Sequence, residues 1–117
     1  MIGSPLAWAA GSNDLSQWMF IDATMQAGAA REVYGVVTQG RHPTYHQWVT
    51  SYKVEVYLSG GWVPVMNDAG SFTFTGNTGI GDTQVWQRFS NPVSTRYVKF
   101  IPLSWHSHIT MRAGLLI

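Results

Sequence analysis

The feature that most constrains this chain is a two-residue hydrophobic alternation. It recurs in run after run, each closed by turn-forming residues. In "VTSYKVEVYL" (49–58), Tyr52, Val54, Val56 and Leu58 fall on one face, while Ser51, Lys53 and Glu55 point the other way and mark a solvent side. "RYVKFIP" sets Val98 and Phe100 opposite Lys99, and "ITMRAGLLI" gathers Ile109, Met111, Ala113 and Leu115. "REVYGVVTQ" places Val33 and Val37 on one face and Tyr34, Val36 and Thr38 on the other. Shorter runs are "QWMFID", "WVPV", "SFTF" and "TQVWQRF". Between them stand Ser59-Gly60-Gly61, Asn67-Asp68-Ala69-Gly70, Gly76-Asn77-Thr78-Gly79 and Asn91-Pro92, all turn signals. The helix signal is confined to one turn in "NDLSQW", capped by Asn13 or Asp14. About eight short strands with this punctuation predict an all-β antiparallel sandwich or barrel. With no repeat, low-complexity stretch or linker, residues 1–117 read as one domain.

Composition narrows the function. Of 117 residues, 45% are hydrophobic, enough for a core, and 11% are charged, well under the usual ~25%. A net charge of +1 gives no general attraction to nucleic acid. Recognition must rest on shape, stacking and hydrogen bonds. The absence of cysteine excludes disulfides, thiolate metal sites and cysteine nucleophiles. No apolar run approaches the ~20 residues of a membrane-spanning helix, and the start "MIGSPLAWAAG" lacks the pattern of a signal peptide.

One loop carries more chemistry than a chain reversal needs. "VVTQGRHPTYHQWVTSYKV" (36–54) reads as strand, loop, strand, and its loop holds Arg41, His42, Tyr45, His46 and Trp48. The phrases around it bear a resemblance. "AWAAGSNDLSQWMFID", "VYGVVTQGR", "WVTSYKVEVYLSGGW", "FTGNT", "RYVKFIPLSW" and "ITMRAGLL" come in the order and spacing of the discoidin domain, also called the coagulation factor V/VIII type C domain. Together they span Ala7 to Leu116. The resemblance implies a jelly-roll β-sandwich with loops projecting from one end. Carried onto this chain, the binding loops are 41–48, 76–83 and 105–108. The ligand-binding candidates are Arg41, His42, Tyr45, His46, Gln47, Trp48, Asn77, Thr78, Asp82, Trp105 and His106, flanked by Thr83 and His108.

Three departures from the family pattern qualify what it implies. Only six residues precede Ala7, where the family carries a further strand and a projecting loop. The family's end-to-end disulfide has no cysteine here. The family's closing "R-x-E-L" is Arg112-Ala113-Gly114-Leu115, and losing that carboxylate argues against calcium. A missing terminal strand would leave an uncovered sheet edge, which predicts self-association into a homo-oligomer.

The loop chemistry suits a small polar ligand with an apolar face. Sugar C–H groups pack on aromatic rings, and hydroxyls pair with Arg, Asn, Asp and Gln. A galactose-type glycan on a secreted or cell-surface adhesion module is the first expectation. The alternatives are a self-assembling structural module of an extracellular filament or particle, and an adhesion domain for a protein such as collagen. The tip "RHPTYHQ" has no Leu, Phe or Met pair, which disfavours membrane insertion. Trp48 reads as core or as ligand platform, with Trp18 and Trp62 more firmly core. Trp105 reads equally either way. Tyr45, beside Pro43, is the best candidate for an exposed ring. His106 and His108 share a face if that segment is extended, but two histidines without a third ligand do not make a zinc site. Asp22 and Arg112 form a buried ion pair or meet backbone groups separately. No nucleophile elbow, His-Glu-x-x-His or phosphate loop occurs, and Asp82 is the one carboxylate in the binding loops. Catalysis and cofactors are therefore not expected.

Overall fold

A computed structural model describes residues 8–23, 31–40, 47–78 and 83–117. Among these there is no helix, and nine strands follow in order. They are β1 (Trp8–Ala9), β2 (Met19–Asp22), β3 (Arg31–Gln39), β4 (Trp48–Leu58), β5 (Gly61–Val65), β6 (Phe74–Thr75), β7 (Val85–Thr95), β8 (Tyr97–His106) and β9 (Thr110–Leu116). They build an antiparallel jelly-roll β-sandwich. One sheet runs β1-β9-β3-β7, the other β2-β8-β4-β5, with β6 pairing β4 beyond β5.

The alternation read from the sequence becomes the core. Tyr52, Val54 and Val56 of β4, Val98 and Phe100 of β8, and Ile109, Met111 and Ala113 from the β9 run are all buried in one cluster between the sheets. Tyr52 sits at its centre, ring centroids 5.5 Å from Phe74 and 5.8 Å from Phe100. Such aromatic pairs add about 0.5–1.5 kcal/mol each beyond the area they bury.

β3 departs from simple alternation. Val33 pairs Val93, but Gly35 pairs Arg88, so residues 89 to 92 of β7 stand against Tyr34 alone. This bulge shifts the phase of β3. Val33 and Val36, rather than Val33 and Val37, face the core, and Tyr34 is exposed. The same bulge absorbs Asn91-Pro92, expected as a turn but found within β7. Proline is tolerated at a bulge on an edge strand because no ladder donor is required of it there. The bulged segment bonds elsewhere: Asp68 N donates to Arg88 O and Ser90 N to Met66 O, both at 2.9 Å, and Phe89 turns into the core.

Two turns form as their residues dictate. Ser59 (φ 48°) and Gly60 (φ 84°) make the two-residue turn between β4 and β5, with both central residues left-handed. Asn67 Oδ1 accepts from Ala69 N at 3.1 Å and Ser71 N at 3.0 Å, knitting the 67–71 turn. "NDLSQW" forms a turn and no helix: Asp14 Oδ1 accepts from Ser16 N at 3.0 Å and Gln17 Nε2 at 3.1 Å. These bonds to its ionised form hold the Asp14 carboxyl below its ordinary value.

The tryptophan expectations need correction. Trp18 is 49% exposed and Phe20 48%, and Trp62 is half-buried. They lie on the outer face of the second sheet. Ring contacts run Trp18–Phe20–Tyr97–Tyr57–Trp62, at centroid distances from 5.3 to 6.1 Å. Lys99 Nζ lies within this chain of rings, 4.8 Å from the Trp18 ring and 4.2 Å from the Trp62 ring, with Glu55 Oε1 at 3.6 Å. Aromatic rings therefore sit outside because a cation gives their faces a partner. Of the two readings of Asp22 and Arg112, separate contacts are the one found. Asp22 Oδ2 meets Arg96 Nη2 at 3.4 Å, and buried Arg112 donates Nε to Gly40 O at 2.7 Å.

Candidate functional site

Buried backbone groups must find partners, and here those partners draw several chain segments to one pole of the sandwich. The end of β3 is tied to β9, where Gln39 pairs Arg112 and Arg112 binds Gly40 O. The start of β4 is tied to the end of β8, where Trp48 pairs His106. The stretch after β6 docks on β4: Gly76 N donates to Thr50 O at 2.8 Å and Asn77 N to Val49 O at 3.0 Å. A Cβ on Gly76 would stand 2.4 Å from Val49 O, so this docking requires glycine. Before β2, Asn13 Oδ1 accepts from Ile109 N and His108 Nε2 donates to Ala10 O, both at 2.9 Å.

The candidate residues divide. Arg41, His42, Tyr45, His46 and Asp82 lie outside the described residues. The ends of their loops are held by the contacts above. Trp48, one of the ligand candidates, is 8% exposed, with its ring flat against His106. It supports the pole from beneath and offers no open face. Asn77 is corrected more firmly. It is 1% exposed, and its Nδ2 donates to Thr83 O at 2.8 Å and Thr38 O at 3.4 Å. Its side chain braces the loop from inside, the amide nitrogen joining two backbone carbonyls from different segments. Trp105 is half-buried and packs on the core. Gln47 is half-buried, and its Oε1 accepts from Thr110 Oγ1 at 3.3 Å. His106 and Thr78 are exposed.

His106 and His108 do not share a strand face. β8 ends at His106, and Ser107 takes φ 64°, turning the chain and sending His108 to Ala10 O. Ser107 Oγ lies 3.3 Å from His106 Nδ1. A non-glycine residue with positive φ is strained, and such residues gather at binding sites. Nothing in the sequence marks Ser107 for this conformation, because serine carries no signal for it. Asn13, expected as a local turn cap, instead accepts from Ile109 N across the fold. Among the described residues no group of three or more His, Asp or Glu side chains is placed to hold a metal.

Trp48, Asn77 and Arg112 are buried where these segments converge, and His106 and Thr78 stand exposed beside them. A pole of this kind is suited to a small polar ligand, held by a few directed bonds and one or two ring faces.

Comparison with known proteins agrees with this architecture. The family profile of the F5/8 type C domain matches residues 3–115. Lactadherin of Mus musculus is 37% identical over 112 residues, covering 94% of this chain and 23% of that protein. Neuropilin-1 of Xenopus laevis is 32% identical over 112 residues, covering 92% of this chain and 12% of that protein. The native structure of recombinant discoidin II of Dictyostelium discoideum superposes with a TM-score of 0.77 at 25% identity, covering 93% of this chain and 40% of that one. The chain thus spans less than half the length of each. On the profile, the relatives and the shared fold, this chain belongs to the F5/8 type C domain family.

Proposed function

We propose that this chain is a non-catalytic adhesion module of the extracellular or cell-surface space that binds a glycan of galactose type. Binding takes place through loops 41–48, 76–83 and 105–108. The observation that supports this most is the convergence at one pole, where Trp48, Asn77 and Arg112 are buried beneath the loop ends and His106 and Thr78 stand exposed. Pre-organisation of this kind lowers the ordering cost that limits weak ligands. Several copies on one assembly would convert weak single-site contacts into avidity. The test is a glycan array on the intact protein, followed by Tyr45→Ala and Arg41→Ala. The reading predicts that both substitutions abolish the sugar signal while Tm holds. No sugar signal on the array, or binding unchanged in both variants, contradicts it.

A second reading, self-assembly, has its own supporting observation. The outer face of the first sheet carries Trp86, 61% exposed, together with Tyr34 and Arg88. These line a hollow of about 400 Å³ with Leu115, Leu116 and Ile117. Trp, Tyr and Arg are the side chains that most often dominate interfaces. Light scattering at micromolar concentration tests this. Self-assembly predicts an oligomer that Trp86→Ala dissolves, and a monomeric native protein rules it out.

A further inference from the structure

We propose that Thr38, Tyr52 and Asn77 bind one buried water molecule between the two sheets, at the base of the candidate recognition pole. The three residues come from different parts of the fold. Thr38 points inward from β3 of the first sheet, Tyr52 inward from β4 of the second, and Asn77 lies beside Thr38 at the start of the segment that follows β6. Thr38 and Asn77 are 1% exposed and Tyr52 is fully buried. Thr38 Oγ1, Tyr52 Oη and Asn77 Oδ1 are all buried, and none has a hydrogen-bond partner. Elsewhere the buried polar side chains of this pole are bonded, as Arg112 is to Gly40 O. Three orphans together are therefore a feature to be explained.

Thr38 is the residue at which they meet. Asn77 Nδ2 lies 3.4 Å from the Thr38 carbonyl. The Thr38 hydroxyl is close enough to Tyr52 to offset part of the rise that burial imposes on the phenol, although the two form no hydrogen bond of good geometry. Asn77 cannot rotate to satisfy its own oxygen, because its Nδ2 is already committed to Thr83 O at 2.8 Å.

The donors and acceptors decide the occupant. Asn77 Oδ1 only accepts, so it needs a donor from outside. Thr38 and Tyr52 each offer one O–H. A water placed between them accepts from Tyr52 Oη and from Thr38 Oγ1 and donates one O–H to Asn77 Oδ1, so all three orphan oxygens are engaged. Buried waters typically make about three such bonds. A cation would also meet the three oxygens, but no carboxylate is among them and burial keeps the phenol neutral. An uncompensated charge there would be costly. The neutral occupant follows.

Such a water would add a polar tie between the two sheets beside the Asn77–Thr38 contact, and it would hold Asn77 beneath its loop. The test is a high-resolution crystal structure of the native protein, with Tyr52→Phe as the companion variant. The expected result is one ordered water at about 2.7–3.2 Å from all three oxygens. Tyr52→Phe, which keeps the ring packing and removes one bond, should lower Tm by a few degrees. Adding Thr38→Val to it should lower Tm by less than the two single losses combined, because the first change already weakens the water's hold. Asn77 Oδ1 bonded directly to Tyr52 Oη or Thr38 Oγ1 with no water overturns the proposal. Density with contacts contracted to about 2.4 Å, the signature of a cation, overturns it equally.

Discussion

Trp48 lies flat on His106, ring centroids 4.2 Å apart and planes 5° from parallel. The two are cross-strand partners in β4 and β8, so the stack is built by register and not by chance approach of two loops. It places a buried indole under an exposed imidazole at the pole proposed to bind ligand. Replacing Trp48 by Ala should cost about 3–5 kcal/mol of stability, the usual loss for a buried aromatic. His106→Ala should cost no more than about 1.5 kcal/mol, the scale of one stacking contact. Urea denaturation of both variants measures this.

Lys99 makes a second prediction. Its ammonium is shared by Trp18, Trp62 and Glu55 and its stem is largely buried. Lys99→Ala should destabilise by about 1–2 kcal/mol, from lost cation–π contact and lost packing. The Lys99→Ala and Trp62→Ala losses should fall short of additivity in the double variant by at least ~0.5 kcal/mol, since each removes the same contact. Additive losses would mean that the outer-face rings are held by their own packing alone.

Two glycines are predicted to resist substitution for different consequences. A Cβ on Gly35 would stand 2.3 Å from Gln87 O and 2.8 Å from Arg88 Cα, backbone atoms that cannot give way without parting β3 from β7. Gly35→Ala should therefore cost about 1–3 kcal/mol or more. Gly76→Ala should cost a similar amount and also weaken ligand binding, because it lifts the Asn77 segment off β4. Tm and a binding assay on both variants separate the two effects.

The turn at Ser59 points the other way. Its φ of 48° is strained for serine, and Asn-Gly is the favoured pair for this turn. Ser59→Asn should raise stability by about 0.5–1 kcal/mol, read as a higher Tm.

Asp14 supplies a pH prediction. Its hydrogen bonds to Ser16 and Gln17 lower its pKa below 3.8, so the bonds favour the charged form. The turn's contribution is fully present above that value and is lost as pH falls through the lower folded value. The Ser16 amide resonance should titrate with a midpoint below 3.8, and Asp14→Asn should remove that titration.

Much of the fold was readable because a strand buried on one face writes its pattern directly into the sequence. β4, β8 and β9 carry their core residues where the alternation placed them. The bulge opposite Tyr34 was not readable, because it depends on how many residues of β7 stand against β3, a property of the pair and not of either strand. Trp18 and Trp62 were expected in the core because hydrophobicity does not say which face of a sheet has a lysine to cover. The pole was readable as a collection of chemistry-bearing loops. Which members point outward was not: Asn77 has the composition of a ligand contact and the geometry of a brace.

Recognition at the pole where Trp48, Asn77 and His106 gather can be read residue by residue in a two-dimensional amide NMR titration of the native protein with galactose and related sugars. Binding there gives saturable shifts confined to residues 40–48, 76–83 and 105–108, with the Trp48 indole among them. Shifts centred instead on Trp18 and Phe20, or on Tyr34 and Trp86, would contradict it.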